Sequence, residues 1–231
     1  MICIEKHEED KERFEFNMPF SCITMRYGDS NYILQSLKWD IRTILWLDYD
    51  YTLNKSVLED IRNFCTSAVV GSILVITVDG SVKDKYGNGI KEGERLIQFM
   101  KNIGKEMVPR DVKEKDVHGW STLKIFRRVL NNEIIKSLNA RNGVLSKGNK
   151  LIYKPLFNFH YNDSAKMLTV GGILCDEGTI NKFNDCHFRE DLEFIRETEE
   201  PYLIEIPKLT LREIKCLDSY LPSDFIKSPS F

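Results

Sequence analysis

Short apolar runs, separated by charged or turn-forming stretches, set the plan of the chain. Ile2-Cys3-Ile4, closed by Glu5, predicts a strand at the first residues, and the polar stretch to Phe16 predicts a helix. Cys22-Ile23-Thr24-Met25 predicts a second strand, closed by Tyr27-Gly28-Asp29-Ser30, with Asp29 or Ser30 placed to cap a short helix. Ile44-Leu45-Trp46-Leu47 is apolar without alternation, as expected of a strand covered on both faces, and it runs into Asp48-Tyr49-Asp50. After Asn54, the residues Val57, Leu58, Ile61, Phe64 and Cys65 keep helical spacing, and Gly71-Ser72 opens a strand over 73–78. Strand, acidic turn, helix and strand make a βαβ unit with parallel strands and a right-handed crossover.

The middle, residues 81–150, predicts a helix through Leu96-Ile97-Phe99-Met100 and a longer one over 121–139, whose Leu123, Phe126, Val129, Leu130, Ile134 and Leu138 share a face. This segment is expected to be a basic helical insertion in a single domain spanning 1–231. Beyond it, residues 156–161 alternate, Asn162-Asp163-Ser164 supply a turn, and 167–175 return as an apolar strand: an antiparallel hairpin. A strand through Tyr202-Leu203-Ile204 ends before Pro207, and Thr210 with Glu213 forms a capping box for a last helix to about Tyr220.

Composition adds class and compartment. With 231 residues, 42% hydrophobic and 29% charged, the chain can bury a core, and no apolar run approaches the length of a membrane span. The acidic start Glu5-Lys6-His7-Glu8-Glu9-Asp10 is the reverse of a signal peptide's entry, and the six scattered cysteines form no CxxC pair, so the expectation is a cytoplasmic protein with reduced thiols and no membrane. The net charge of −2 hides an asymmetry: residues 83–154 hold 17 basic and 8 acidic side chains, a local +9. Such a segment can meet nucleic acid, although Arg127, Arg128 and Lys136 also suit the solvated side of a helix, and no aromatic residues interleave with them.

Candidate chemistry lies at the strand ends, which carry Glu5, Gly28-Asp29-Ser30, Asp48-Tyr49-Asp50 and Asp79-Gly80. Ligands of open parallel sheets bind beyond the carboxyl ends of strands. There an acid can accept both hydroxyls of a ribose, a small-residue turn lets an adenine approach the backbone, and a carboxylate beside the reacting atom can take a proton or hold Mg²⁺.

In their order and spacing Ile2-Cys3-Ile4-Glu5, Met25-Arg26-Tyr27-Gly28-Asp29-Ser30 and Leu45-Trp46-Leu47-Asp48-Tyr49-Asp50 resemble the second, third and fourth strand ends of class I S-adenosylmethionine-dependent methyltransferases, and more closely those of bacterial O-methyltransferase-like proteins. The resemblance implies an α/β, Rossmann-like, mostly parallel sheet closed by an antiparallel C-terminal hairpin. It implies Glu5 for the cofactor ribose, Gly28, Asp29 and Ser30 for the adenine side, and Asp48 and Asp50 as catalytic residues of an O-methyl transfer whose acceptor the sequence does not name. The family's first strand with its glycine-rich loop would lie before Met1, so the fold is expected to be N-terminally truncated. That strand belongs at the centre of the sheet, between the second and the fourth. The expectations are weak or no S-adenosylmethionine binding by this chain alone, and a protein partner supplying the strand. Asp48 and Asp79 resemble two Mg²⁺ ligands of catechol-type enzymes, yet Gly80 stands where an amide normally follows the second acid, so no metal is expected.

Two other readings stand beside this one. Leu45 to Leu53 also resembles the hhhDxDGT signature of haloacid-dehalogenase-type Mg-dependent phosphatases, with Asp48 as nucleophile, Asp50 as acid/base and Thr77 as the phosphate-binding hydroxyl, although Tyr51 replaces the glycine. A non-catalytic subunit that keeps the methyltransferase fold for protein contact is the third. Of the histidines, His7 is expected at the surface, His160 in an alternating strand, His118 beside Gly119-Trp120 as the best placed to act as a base, and His187 without a partner.

Overall fold

Period-two and period-3.6 apolar patterns resolve into strands and helices over most of the chain; the computed structural model describes residues 1–163, 165–205 and 207–220. In order these are β1 (Ile2–Glu5), α1 (Lys11–Phe16), β2 (Thr24–Tyr27), α2 (Ser30–Ser36), β3 (Ile44–Thr52), α3 (Lys55–Ser67), β4 (Ile73–Asp79), α4 (Arg95–Ile103), α5 (Trp120–Asn142), β5 (Ile152–Asp163), β6 (Ala165–Cys175), α6 (Ile180–Asp185), α7 (Phe188–Asp191), β7 (Tyr202–Ile204) and α8 (Leu211–Asp218).

The architecture is α/β, with two separate sheets. β3-β4-β6-β5-β7 form a five-stranded mixed sheet, in which β3 runs parallel to β4 and β6 antiparallel to both its neighbours. β1 and β2 form a parallel pair of their own. Residues 81–150 belong to the main core: α5 packs against α3, β5 and β6, burying Leu123, Phe126, Val129, Leu130, Ile134 and Leu138. Opposite them α3 buries Val57, Leu58, Ile61, Phe64 and Cys65. Each such side chain contributes about 1.5–3 kcal/mol through its removal from water.

Local chemistry fixes the element ends. The Asn54 side chain accepts the Val57 N–H at 3.2 Å and starts α3. At its other end Arg141 Nη1 donates to the carbonyls of Cys65 (3.0 Å) and Ala68 (2.7 Å), which tethers α5 to the end of α3. The capping box of Thr210 and Glu213 forms as the sequence predicts, and α8 ends at Asp218. Gly80 has a packing reason: a Cβ there would meet Leu123 Cδ2 at 2.0 Å and the Lys166 carbonyl oxygen at 2.8 Å. An amide could not occupy that place.

Three local expectations are corrected. β2 begins at Thr24, because Ile23 N–H bonds back to the Phe20 carbonyl and pairing with β1 starts only where Thr24 N–H reaches Met1 O. Neither Asp29 nor Ser30 caps α2 with a side-chain bond; Asp29 is its N-cap position but faces Lys6 at 3.4 Å, and Ser30 turns to Asp60. β3 is covered on one face, not two. It extends through Asp48-Tyr49-Asp50 to Thr52, with Leu47 and Tyr49 buried while Ile44 is 71% and Trp46 63% exposed. On that open face Trp46 Nε1 donates to Thr77 Oγ1, which bonds Thr169 Oγ1, a polar chain across β3, β4 and β6.

Candidate functional site

A cleft of about 970 Å³ opens beyond the carboxyl ends of β1, β2 and β3. It is lined by Glu5, Gly28, Asp29, Ser30, Asp48 and Asp50, so the six residues singled out in the sequence meet in one place. β1 and β2 end level, with Glu5 paired to Tyr27, which sets Glu5 beside the Gly28 turn; Gly28 N–H donates to the Glu5 carbonyl at 2.9 Å. Gly28 has φ +132, a conformation that side chains disfavour, and this leaves its backbone open to a ligand.

Asp48 and Asp50 project from the same face of β3, both exposed. Between them Tyr49 points the other way, into a network that the sequence did not reveal. Asp60, fully buried on α3, accepts hydrogen bonds from Tyr49 OH (2.5 Å), Ser30 Oγ (2.5 Å) and Asn31 Nδ2 (2.6 Å). Burial pushes the Asp60 carboxyl up, and its three donors oppose that shift. Burial and then the Asp60 charge push the Tyr49 hydroxyl well above its usual range, while Tyr51 rises to about 12 for the same reasons. Tyr49 is therefore a fixed donor. Through Asp60, α3 ties the turn that follows β2 to the strand that carries Asp48 and Asp50. The one available signal was a carboxylate set among the apolar positions 57, 58, 61 and 64 of a helix.

The far wall of the cleft comes from the loop after β4 and from α4: Asp84, Lys85, Gly87, Lys101 and Asn102. Asp84 accepts the N–H groups of Tyr86 and Asn88, both at 2.8 Å, and the Asn88 side chain, which holds its carboxyl below the usual range. His7, at the rim, bonds Glu9 at 2.8 Å, and that bond raises its pKa.

Asp79 is not part of the cleft lining. It is 2% exposed, accepts the Ser81 N–H and pairs with Lys83 at 2.5 Å, which leaves no Mg²⁺ site shared with Asp48. Among the described residues no group of three His, Cys, Asp or Glu is placed to hold a metal. Thr77 is buried and bonded to Trp46 and Thr169, so the hydroxyl that a phosphatase would need at the strand end is engaged inside the sheet. His187 meets Glu190 at 3.3 Å, and His160 is buried.

A strand pair ending in an acid and a Gly-Asp turn thus faces, across one cleft, a strand that carries two aspartates on one face near its carboxyl end. The model of the family described as "Putative O-methyltransferase" matches residues 1–230. The chain belongs to that family. No curated protein matches it. Among the described residues no helix is long and apolar enough to cross a membrane.

Proposed function

We propose that this family member acts in S-adenosylmethionine-dependent O-methyl transfer, and that its Rossmann-like sheet is completed by one further strand, from another polypeptide segment, between β1 and β3. The observation that carries this reading is the pair of unpartnered parallel edges flanking the carboxylate cleft. Among the described residues β1 pairs only with β2 and β3 only with β4, and Ile2, Ile44 and Trp46 on these strands are exposed. An unpaired strand edge presents a row of free N–H and C=O groups, and each one buried without a partner costs about 1–3 kcal/mol. Inserting one strand there gives the order β2-β1-strand-β3-β4-β6-β5-β7.

The residues present fit the nucleoside half of the cofactor. Glu5 accepts the ribose hydroxyls, and the open backbone of Gly28 with Asp29 receives the adenine. Ser30, spent on Asp60, positions that turn instead of touching the base. The cofactor supplies a methyl group on a cationic sulfonium. Asp48 and Asp50 orient the acceptor and take the proton from its oxygen, which makes alignment and deprotonation the protein's contribution. Arg128 is committed to Asp111 by two bonds of 2.9 and 2.7 Å and Arg141 to the end of α3, which takes two of the five cations of the basic helix out of any contact with nucleic acid. All six thiols are free, in keeping with a reducing, cytoplasmic setting.

In an assembly with the completing strand, the double variant Asp48→Asn, Asp50→Asn should lose methyl transfer by at least about 100-fold, with cofactor affinity changed by less than about threefold. Unchanged transfer in that variant would contradict the assignment.

A further inference from the structure

A second cavity, of about 840 Å³, shares no residue with the carboxylate cleft and lies at the opposite edge of the large sheet, where α5, β5 and β7 meet. Its walls are mostly apolar, with Trp120, Leu203 and Ile204 43%, 62% and 38% exposed, and the side chains of Lys124, His160 and Lys208 join them. His160 projects from the middle of β5, is 3% exposed, and lies parallel to the Trp120 ring with centroids 6.1 Å apart and planes 6° from coplanar. Its Nε2 is buried and has no hydrogen-bond partner among the described residues. In a core histidine both ring nitrogens are normally satisfied, because an unmet buried polar atom costs about 1–3 kcal/mol.

The charges around this imidazole are lopsided. Lys124 and Lys208 make no ion pair among the described residues, Lys166 Nζ stands 5.5 Å from the Trp120 ring centroid, and Arg127 is near enough to act on His160. Glu205 is the single carboxylate in the lining. Burial, and then Lys124 and Arg127, push the His160 pKa down to about 4, so the ring is neutral at pH 7. In the described lining Lys124 and Lys208 outnumber Glu205, and the local field stays positive. The same field attracts an anion.

We infer that this cavity is a second binding site, for a planar aromatic ligand bearing an anionic group. The ring lies against Trp120 and the apolar walls, the carboxylate or phosphate meets Lys124 and Lys208, and a polar atom of the ligand satisfies His160 Nε2. Neutral imidazole can donate or accept that bond, whereas two lysines require negative charge on the partner. Nucleotides and free aromatic acids share this chemistry.

The test is calorimetric titration of the full chain with adenosine 5′-monophosphate and with salicylate. Adenosine is the uncharged control for the first and cyclohexanecarboxylate the non-planar control for the second. The expected result is binding of at least one probe with Kd below about 1 mM and about tenfold or more tighter than its control. Binding by the nucleotide alone, by salicylate alone, or by both identifies which source the site takes. The exposed-residue variants Lys124→Ala with Lys208→Ala, and Trp120→Leu, should each weaken it about tenfold, while Glu5→Gln, at the ribose position of the other cleft, should leave it unchanged. Circular dichroism of each variant confirms that the fold persists. Neither probe outperforming its control, or folded lysine variants that bind as the wild type does, would overturn the inference.

Discussion

Asp60 shows how one buried residue can govern a site it does not line. It gathers Tyr49, Ser30 and Asn31 from two elements, and Asn31 in turn accepts from Ser56 Oγ at 2.6 Å, so the turn after β2 and the end of β3 share a single polar knot. Asp60→Ala would leave the buried Tyr49 hydroxyl without its acceptor and release the part-buried Ser30 and Asn31, with an expected loss of about 2–3 kcal/mol of stability and a drop in the urea midpoint at unchanged slope. A midpoint within about 0.5 kcal/mol of wild type would mean that the knot contributes nothing. The residues of the cleft were legible because glycine, aspartate and glutamate at strand ends are visible in one dimension. Asp60 was not, since its role depends on which helix face meets which turn, and the apolar stripe of α3 foretold burial without naming the partners.

At the scale of elements, β3 is the informative case. Its unbroken run of apolar residues encodes burial on both faces, yet burial needs something to pack there, and among the described residues α3 and α5 line only one side. The hairpin of β5 and β6, by contrast, was legible as a pair, because antiparallel pairing is local, but not in its bounds: β5 begins at Ile152 and stays paired through Asn162 and Asp163, which the sequence placed in the turn, and Ser164 lies outside the described residues. Nor was its irregularity: the register shifts between Pro155 and Phe157, and the Phe157 ring occupies the place where a Gly171 side chain would stand. The open edge yields a prediction that separates assembly from folding. Ile44 is 71% exposed, so Ile44→Lys should move the stability of the chain by less than about 0.5 kcal/mol, while weakening association with the completing segment at least about tenfold in a pull-down or calorimetric titration. Equal association by the variant would place the contact elsewhere.

For the whole molecule, the division into a two-stranded and a five-stranded sheet decides what the chain can do. The strands before and after the break were legible from their apolar runs; that β1 and β2 pair apart from the larger sheet, and that Ile2, Ile44 and Trp46 are exposed, required the structure. The cleft at the break gathers Glu5, the Gly28 turn, Asp48 and Asp50; on the proposed function, the methionine end of the cofactor needs the strand and loop that complete the sheet. The direct measurement is calorimetric titration of the 231-residue chain alone with S-adenosylmethionine. A Kd weaker than about 1 mM, or no detectable heat, is expected; micromolar affinity, about −8 kcal/mol, would contradict the need for a completing strand.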